Sequence, residues 1–288
     1  MDHRESHIVP KLPKPIRLQD YGAGIFNLIP TKSALKKAIK KKYILVNKSI
    51  ASTATLLRGG ESIELSISDK ATPVNRLVFP LDVLLEDDYL AIIHKPAGIL
   101  VSGNSFKTIA NALSQNVKRS NLPDATIPQP VHRLDYATTG LLLVGKTSSS
   151  IQIINKMFEN KEIKKSYLAI AIGEIPEEGS ITAPIDGKKS HSSYSLINTV
   201  HSKRFGKLNL VELSPKTGRR HQLRKHLSEI GNPILGDKDY GKEGLILKGK
   251  GLYLHAHSLK FTHPISKKEV YLKSDIPVKF QKIFPVSS

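Results

Sequence analysis

Within eleven residues the chain places an arginine, an aspartate and two adjacent hydroxyls: Pro130-Val131-His132-Arg133-Leu134-Asp135-Tyr136-Ala137-Thr138-Thr139-Gly140. An apolar run, Leu141 to Val144, follows at once and reads as a buried strand. A carboxylate on a polar loop beside such a strand is held by the scaffold, which is what a nucleophile or a general base requires. An aspartate in isolation would fit a turn or a helix cap equally well. Arg133 suits a contact to phosphate or to a base, or a surface ion pair. Thr138 and Thr139 are expected to hold the loop through hydroxyl-to-backbone hydrogen bonds.

Three further segments mix chemistry in the same way. Glu86-Asp87-Asp88 precedes an apolar strand, Leu90 to Ile93, which runs into His94-Lys95-Pro96-Ala97-Gly98. A pair of carboxylates could do acid–base work, but a hairpin turn explains the three acids better, and Lys95 is either structural or directed at a polyanion. Lys165-Ser166-Tyr167-Leu168-Ala169 puts an aromatic hydroxyl in a strand, where core packing is the simplest role. Thr217-Gly218-Arg219-Arg220-His221-Gln222-Leu223-Arg224-Lys225-His226 leads from a glycine turn into a helix start dense with cations, a natural phosphate site.

The composition narrows the partner. Lys and Arg number 44 against 25 Asp and Glu, a net charge of +19, which suits a polyanion better than a small neutral metabolite. No apolar stretch approaches the roughly 20 residues that cross a bilayer, and residues 1–14 lack a signal-peptide core. RNA is therefore the expected partner, with no membrane, in the cytoplasm. The absence of cysteine excludes disulfides, thiolate zinc sites and cysteine nucleophiles. Gly140 to Thr147 matches the pattern G-x-x-x-x-G-K-[ST], but a phosphate cradle needs a flexible loop where this chain has its strand, so no nucleotide cofactor is expected. The pairs His221/His226 and His255/His257 lack metal-site spacing, so no metal is expected either.

The elements that must position these groups are α+β. Residues 1–16 read as a flexible tail, 17–76 as a small domain and 77–288 as a larger one, with a linker over 69–80. In the small domain a short helix is expected around Ile25, Phe26, Leu28 and Ile29, ending near Pro30. A second helix, capped by Thr31 or Ser33, runs to Lys42. Leu35, Ala38 and Ile39 lie on one of its faces and Lys36, Lys37, Lys40 and Lys41 mostly on the other. No acid interrupts residues 31–50, so this face suits RNA phosphates, although a lysine run can also be only a solvated surface. In the larger domain strands are expected over 90–94, 140–145, 165–172, 208–213 and 251–255, and helices over 108–115, 149–158 and 221–229.

Together these segments resemble the RluA-type pseudouridine synthases, through H-R-L-D-x-x-T-[ST]-G, K-P-x-G after an acidic turn, K-x-Y-L-A and T-G-R-x-H-Q-[IL]-R-x-H-L. The likeness spans about residues 20–275. His94 replaces the usual Asn, Thr139 the more frequent Ser, and Arg220 the usual Thr. The two short helices followed by "ILVNK" and "LLRGGESIEL" resemble an S-four-type RNA-binding module, with lysines where arginines are usual. The resemblance implies a mixed, mainly antiparallel sheet with flanking helices, preceded by a small α/β module. It implies isomerisation of uridine in RNA without a cofactor, on large-subunit ribosomal RNA in preference to transfer RNA; separately, a monomer is expected. Asp135 would perform the chemistry, Arg224 would pair with it, and Tyr167 would lie against the uracil and take the proton from its carbon-5. Arg133, His132, Lys95, Arg219, Arg220, Lys36, Lys37, Lys40 and Lys41 would contact RNA. A non-catalytic RNA-binding or ribosome-assembly factor is the reading from a different class.

Overall fold

The leucine-rich run after Gly140 forms part of a strand, Thr139–Thr147, that is buried on both faces. Leu141 and Leu143 pack with Ile154 and Met157 of the helix Ser148–Glu159. Leu142 and Val144 face a second core that includes Ile109, Ala112 and Leu113 of the helix Ile109–Asn116. A strand between two apolar layers has no polar alternation to show, hence the unbroken run. The coordinates are a computed structural model that describes residues 3–26, 29, 31–67, 77–247 and 249–285. Chain contacts divide it into two units, residues 1–75 and 76–288. Most of the expected linker, Pro73 included, lies outside the described residues.

In the larger unit one sheet runs in the order Glu178–Ile181, Ser192–Ser202, Gly206–Pro215, Lys164–Ile172, Leu254–Thr262, Thr139–Thr147, Leu90–Lys95, Asp82–Glu86. Neighbours are antiparallel except where Thr139–Thr147 meets Leu254–Thr262, a parallel contact of two residue pairs, Thr139 with His255 and Gly140 with Ala256. Gly140 sits at φ +110°, and a Cβ there would lie 2.2 Å from the Ala256 carbonyl oxygen. Only glycine lets the two backbones close at that point, so the last residue of the Asp135 segment is set by strand contact. Gly145 has a similar cause, since a Cβ would lie 2.3 Å from Ile151 Cγ1. Lys146, the penultimate residue of the strand, is buried and bonds Glu86 at 2.8 Å and the Asp87 carbonyl. The nucleotide-like pattern is thus a strand, a helix contact and a buried ion pair.

The acidic turn is a hairpin. Asp87 Oδ1 accepts from the Tyr89 and Leu90 amides at 2.7 and 2.9 Å between Asp82–Glu86 and Leu90–Lys95. The last expected strand lies further along, at Leu254–Thr262. Ala125–Pro130, with its two prolines, is an additional strand paired with Thr139–Thr147. The Ser148–Glu159 helix begins with a reciprocal capping box between Thr147 and Ser150.

In the smaller unit the expected tail is a strand. His3–Ile8 pairs antiparallel with Ser62–Ile67, which continues to Ile44–Val46 and Ser49–Ile50. A strand at the sheet edge keeps polar residues, which is why 3–8 shows no apolar period. The helix Lys32–Lys40 is capped by Thr31 Oγ1, which accepts from the Ala34 amide at 3.1 Å. It buries Leu35, Ala38 and Ile39, and Lys36, Lys37, Lys40 and the following Lys41 are exposed. Where a helix is expected around 25–29, the described residues Phe26 and Ile29 form an antiparallel bridge, and the helical residues are Leu18–Tyr21. Leu28 and Pro30 lie outside the described residues.

Candidate active site

Asp135 lies in the loop that carries the chain from Ala125–Pro130 to Thr139–Thr147, and its backbone carbonyl accepts from the Thr138 amide at 3.1 Å. Lys95 fixes that loop from below. Its side chain is fully buried and its ammonium donates to the carbonyls of Pro96, Tyr136 and Thr138 at 2.9, 3.3 and 2.8 Å. The Gly98 amide adds a bond to the Tyr136 carbonyl at 2.9 Å. Lys95 therefore cannot contact RNA, contrary to the expectation. It is a positioning cation, and the K-P-A-G turn and the Asp135 loop are one hydrogen-bonded body.

Burial lowers the Lys95 pKa to about 8, and attraction to Asp135 opposes the fall. The unfolded chain keeps this proton up to its ordinary value near 10.5. Between those values the unfolded state binds more protons, so this group's contribution to stability rises with pH across the window. Activity should move the other way, because a neutral amine has fewer donors for three carbonyls and no charge to attract Asp135. We expect any activity that depends on Asp135 to decline above about pH 8 while the urea midpoint does not fall. Assays at pH 7 to 9 with parallel urea titrations check this; an activity flat across that range would remove the role from Lys95.

The remaining expected residues divide into those that reach the cavity and those that support it. A cavity of about 540 Å³ is lined by Asp135, Tyr167, Thr138, Leu223 and Leu254, with Arg133, Lys161, Lys164, Lys165, Lys216 and Arg219 around it. Tyr167, on Lys164–Ile172, is buried, and burial together with the Asp135 charge pushes its phenol pKa well up. At rest it offers a hydrogen-bond donor and an aromatic surface, not the phenolate that proton removal from carbon-5 would need. Arg133 is exposed and its guanidinium has no hydrogen bond or ion pair among the described residues. His132 departs from its expected RNA contact. Its Nε2 accepts from the Leu143 amide at 2.9 Å, its ring packs on Phe158 at 5.0 Å, and burial lowers its pKa to about 3. It is a neutral pin between loop and strand, with the ring proton on Nδ1. Thr138 Oγ1 is buried without a partner, whereas Thr139 Oγ1 bonds His255 Nδ1 at 2.8 Å, so neither hydroxyl makes the expected backbone bond.

The cation-dense turn hangs on Gln222, the first residue of the helix Gln222–Glu229. Its Oε1 accepts from Thr217 Oγ1 and the Arg219 amide at 2.7 and 3.0 Å. Its Nε2 donates to the His191 carbonyl and Ser192 Oγ at 2.9 and 2.8 Å. With that buried amide fully used, Arg219 and Arg220 are left exposed at the surface. His221, ahead of the helix, is held in the left-handed region at φ 56°.

Arg224 does not pair with Asp135. Its Nε and Nη2 form a two-pronged bond to Asp237 at 2.7 and 2.6 Å, and Nη2 also reaches Asp239 at 2.7 Å. Asp237 is fully buried, and a guanidinium already matched to it gains nothing by turning to a more exposed acid. Arg224 and Asp135 nevertheless line one cavity, of about 760 Å³. The nearest ionic partner of Asp135 among the described residues is His221, with Nε2 3.9 Å from Oδ1. Burial lowers the His221 pKa, Asp135 raises it, and Arg224 and Arg220 lower it. Its Nδ1 is bonded to Tyr240 Oη at 3.0 Å. In the sequence His221 shows only a spacing to His226 that lacks metal-site character, and nothing in the spacing of Asp237 and Asp239 marks them as the partners of Arg224.

His226 bonds Ser190, Ser192 and the Ala183 carbonyl, and among the described residues no group of three or more His, Asp or Glu is arranged to hold a metal.

A family profile described as RNA pseudouridylate synthase matches residues 89–229, which include Asp135, Tyr167 and Arg224. The chain is 32% identical over 283 residues to the ribosomal large subunit pseudouridine synthase D of Nitrosomonas europaea, covering 88% of this chain and 80% of that one. It belongs to the RNA pseudouridylate synthase family. Similarity to the ribosomal large subunit pseudouridine synthase C of Rickettsia bellii is 31% identity over 304 residues, 94% of this chain and 98% of the relative. Among solved structures, human RNA pseudouridylate synthase domain containing 4 aligns with a TM-score of 0.57 at 26% identity, over 69% of this chain and 90% of that one. The protein is thus an isomerase, a pseudouridine synthase, with the mixed, mainly antiparallel sheet of that family. No helix among the described residues is long and apolar enough to cross a membrane.

Proposed function

We propose that this synthase isomerises uridine in large-subunit ribosomal RNA, with Asp135 as the reacting carboxylate. The observation that carries the site is the shared cavity, where Asp135 and Tyr167 line one space ringed by six cations. The names of the relatives above support the substrate. The reaction breaks the bond from the ribose C1′ to N1 and forms one from C1′ to C5. C5 loses a proton and N1 gains one, so nothing external is consumed.

The steps follow from the geometry and the charge. The cations gather RNA by releasing its counterions, so affinity falls with salt. A stacked uridine cannot reach Asp135 and must be everted, at a cost of roughly a few kcal/mol. Arg133, without a partner at the cavity rim, fills or holds the vacated place. Tyr167 lies against the everted uracil as a neutral phenol. Asp135 acts as a nucleophile or as a base on the ribose. Retaining the freed uracil in the cavity makes the rejoining step effectively unimolecular. In the smaller unit, the exposed Lys36, Lys37, Lys40 and Lys41 support an S-four-type module that contacts RNA phosphates.

Pseudouridine mapping of ribosomal RNA from cells with and without the gene tests the substrate. We expect at least one large-subunit position to revert to uridine, and the purified protein to restore it with release of tritium from 5-tritiated uridine. Loss of pseudouridine from transfer RNA alone would transfer the assignment there, and no loss with no tritium release would leave an RNA-binding factor.

A further inference from the structure

Asp135 lines two cavities, and the second takes no part in the steps proposed for the first. Asp135, Arg133, Leu134 and His221 line both. Tyr167 does not line the second cavity, of about 760 Å³, whose wall includes Gly98, Leu100, Tyr136, Arg220, Lys238 and the exposed carboxylate of Asp239. That volume is within the range of roughly 300–1,000 Å³ that holds compact organic ligands. Tyr136, on the loop whose carbonyls Lys95 binds, is 57% exposed, and Leu100, just beyond the K-P-A-G turn, is 41% exposed. The Tyr136 hydroxyl is 3.9 Å from where a Cβ on Gly98 would stand, so the phenol lies along the K-P-A-G turn. Arg220 and Lys238 are exposed, with no hydrogen bond or ion pair of their side chains among the described residues. An exposed ring in one cavity with two cations that make no hydrogen bond or close ion pair among the described residues is the combination that takes a base by stacking and its phosphate by charge, and Asp239, the one exposed acid on that wall, is bonded to Arg224.

Resting on the assignment of Asp135 to the target ribose, we propose that this second cavity is a subsite for the nucleotide adjoining the target uridine, its base laid on Tyr136 and its phosphate between Arg220 and Lys238. The connectivity of the strand supports this. With the target ribose at Asp135 and its uracil beside Tyr167, the continuing chain has to leave past the same carboxylate. The second cavity, which Asp135 also lines, offers an aromatic platform and cations at that exit. The subsite makes the neighbouring base a contributor to site choice without any contact to the uracil.

The test uses the full-length protein and short synthetic RNAs around a uridine that it is known to convert, intact or with an abasic residue immediately 5′ or 3′ of the target. For one of the two abasic RNAs the parent should lose roughly tenfold in kcat/KM, the effect of one lost base–aromatic stack. Tyr136→Ala should lose about as much on the intact RNA and nothing further on that abasic RNA. Tyr136→Phe should behave as the parent, which separates stacking from misfolding. Equal losses for Tyr136→Ala on intact and abasic RNAs, or no loss by the parent on either abasic RNA, would overturn the subsite. If the parent converts the intact RNA normally but Asp135→Asn does so as well, it is the underlying assignment of Asp135 that fails.

Discussion

Asp135→Asn is expected to form pseudouridine at least about 10⁴-fold more slowly than the parent while binding RNA at least as tightly. The substitution keeps shape and removes only the charge and the nucleophilic oxygen. The loop does not depend on that carboxylate for its conformation. Its turn is closed by the Asp135 backbone carbonyl, and its body is held by Lys95 and the Gly98 amide. The nearest ionic partner, His221 Nε2, is 3.9 Å away, beyond hydrogen-bond distance, so little native stabilisation is lost. Removing a negative charge from a wall shared with Arg133 and Arg219 makes the cavity more attractive to phosphate. Single-turnover assays with filter binding on the same RNA check both halves. A variant that retains conversion within tenfold would transfer the chemistry to another group, and one that loses binding and conversion together would make Asp135 structural.

Arg224→Met is expected to act on stability before it acts on chemistry. The guanidinium neutralises Asp237, whose side chain is fully buried, through a two-pronged bond, and Asp239 through a third contact. Met leaves the Asp237 carboxylate buried without a counter-charge, held only by the Asp239 and Tyr240 amides, a loss of about 3–5 kcal/mol. For a unit of this size that is a fall in Tm on the order of 10 °C. Tyr240, on which the Arg224 guanidinium stacks at 4.9 Å, also holds His221 at 3.0 Å, so the loss reaches the wall beside Asp135. Arg224→Lys should fall between the two, since it keeps the charge and loses the planar fork. Differential scanning calorimetry with a pH–rate profile separates this role from direct pairing to Asp135. An unchanged Tm with an activity profile displaced to higher pH would restore the pairing that the family resemblance implies.

Arg224 shows where reading along the chain loses its grip. T-G-R-R-H-Q-L-R places a cation on a helix next to the reacting loop, and the cavity does bring the two to one wall. Which acid an arginine chooses depends on which acid is buried beside it, and Asp237 and Asp239 are set there by a separate loop. Lys95 and His132 are similar. Both sit in segments rich in polar groups, and a lysine or histidine in such company reads as a ligand for phosphate. The packing instead turns Lys95 inward onto three carbonyls and pins His132 to the Leu143 amide. The strand His3–Ile8 was hidden because its pairing lies on the backbone, where side-chain pattern carries no signal.

Local rules were enough for what depends on neighbours in the chain: the buried strand after Gly140, the Thr31 helix cap, the acidic hairpin and the lysine face of the first capped helix; the proposal of Asp135 as the reacting group rests on the family resemblance. Tertiary structure alone decided which of the expected residues reach the cavity and which hold it open, because burial and the pairing of buried charges are set by segments far apart in the chain. It placed Tyr167 beside Asp135 across the sheet, gave Arg224 to Asp237, set His221 at 3.9 Å from the carboxylate, and opened a second cavity that Asp135 also lines.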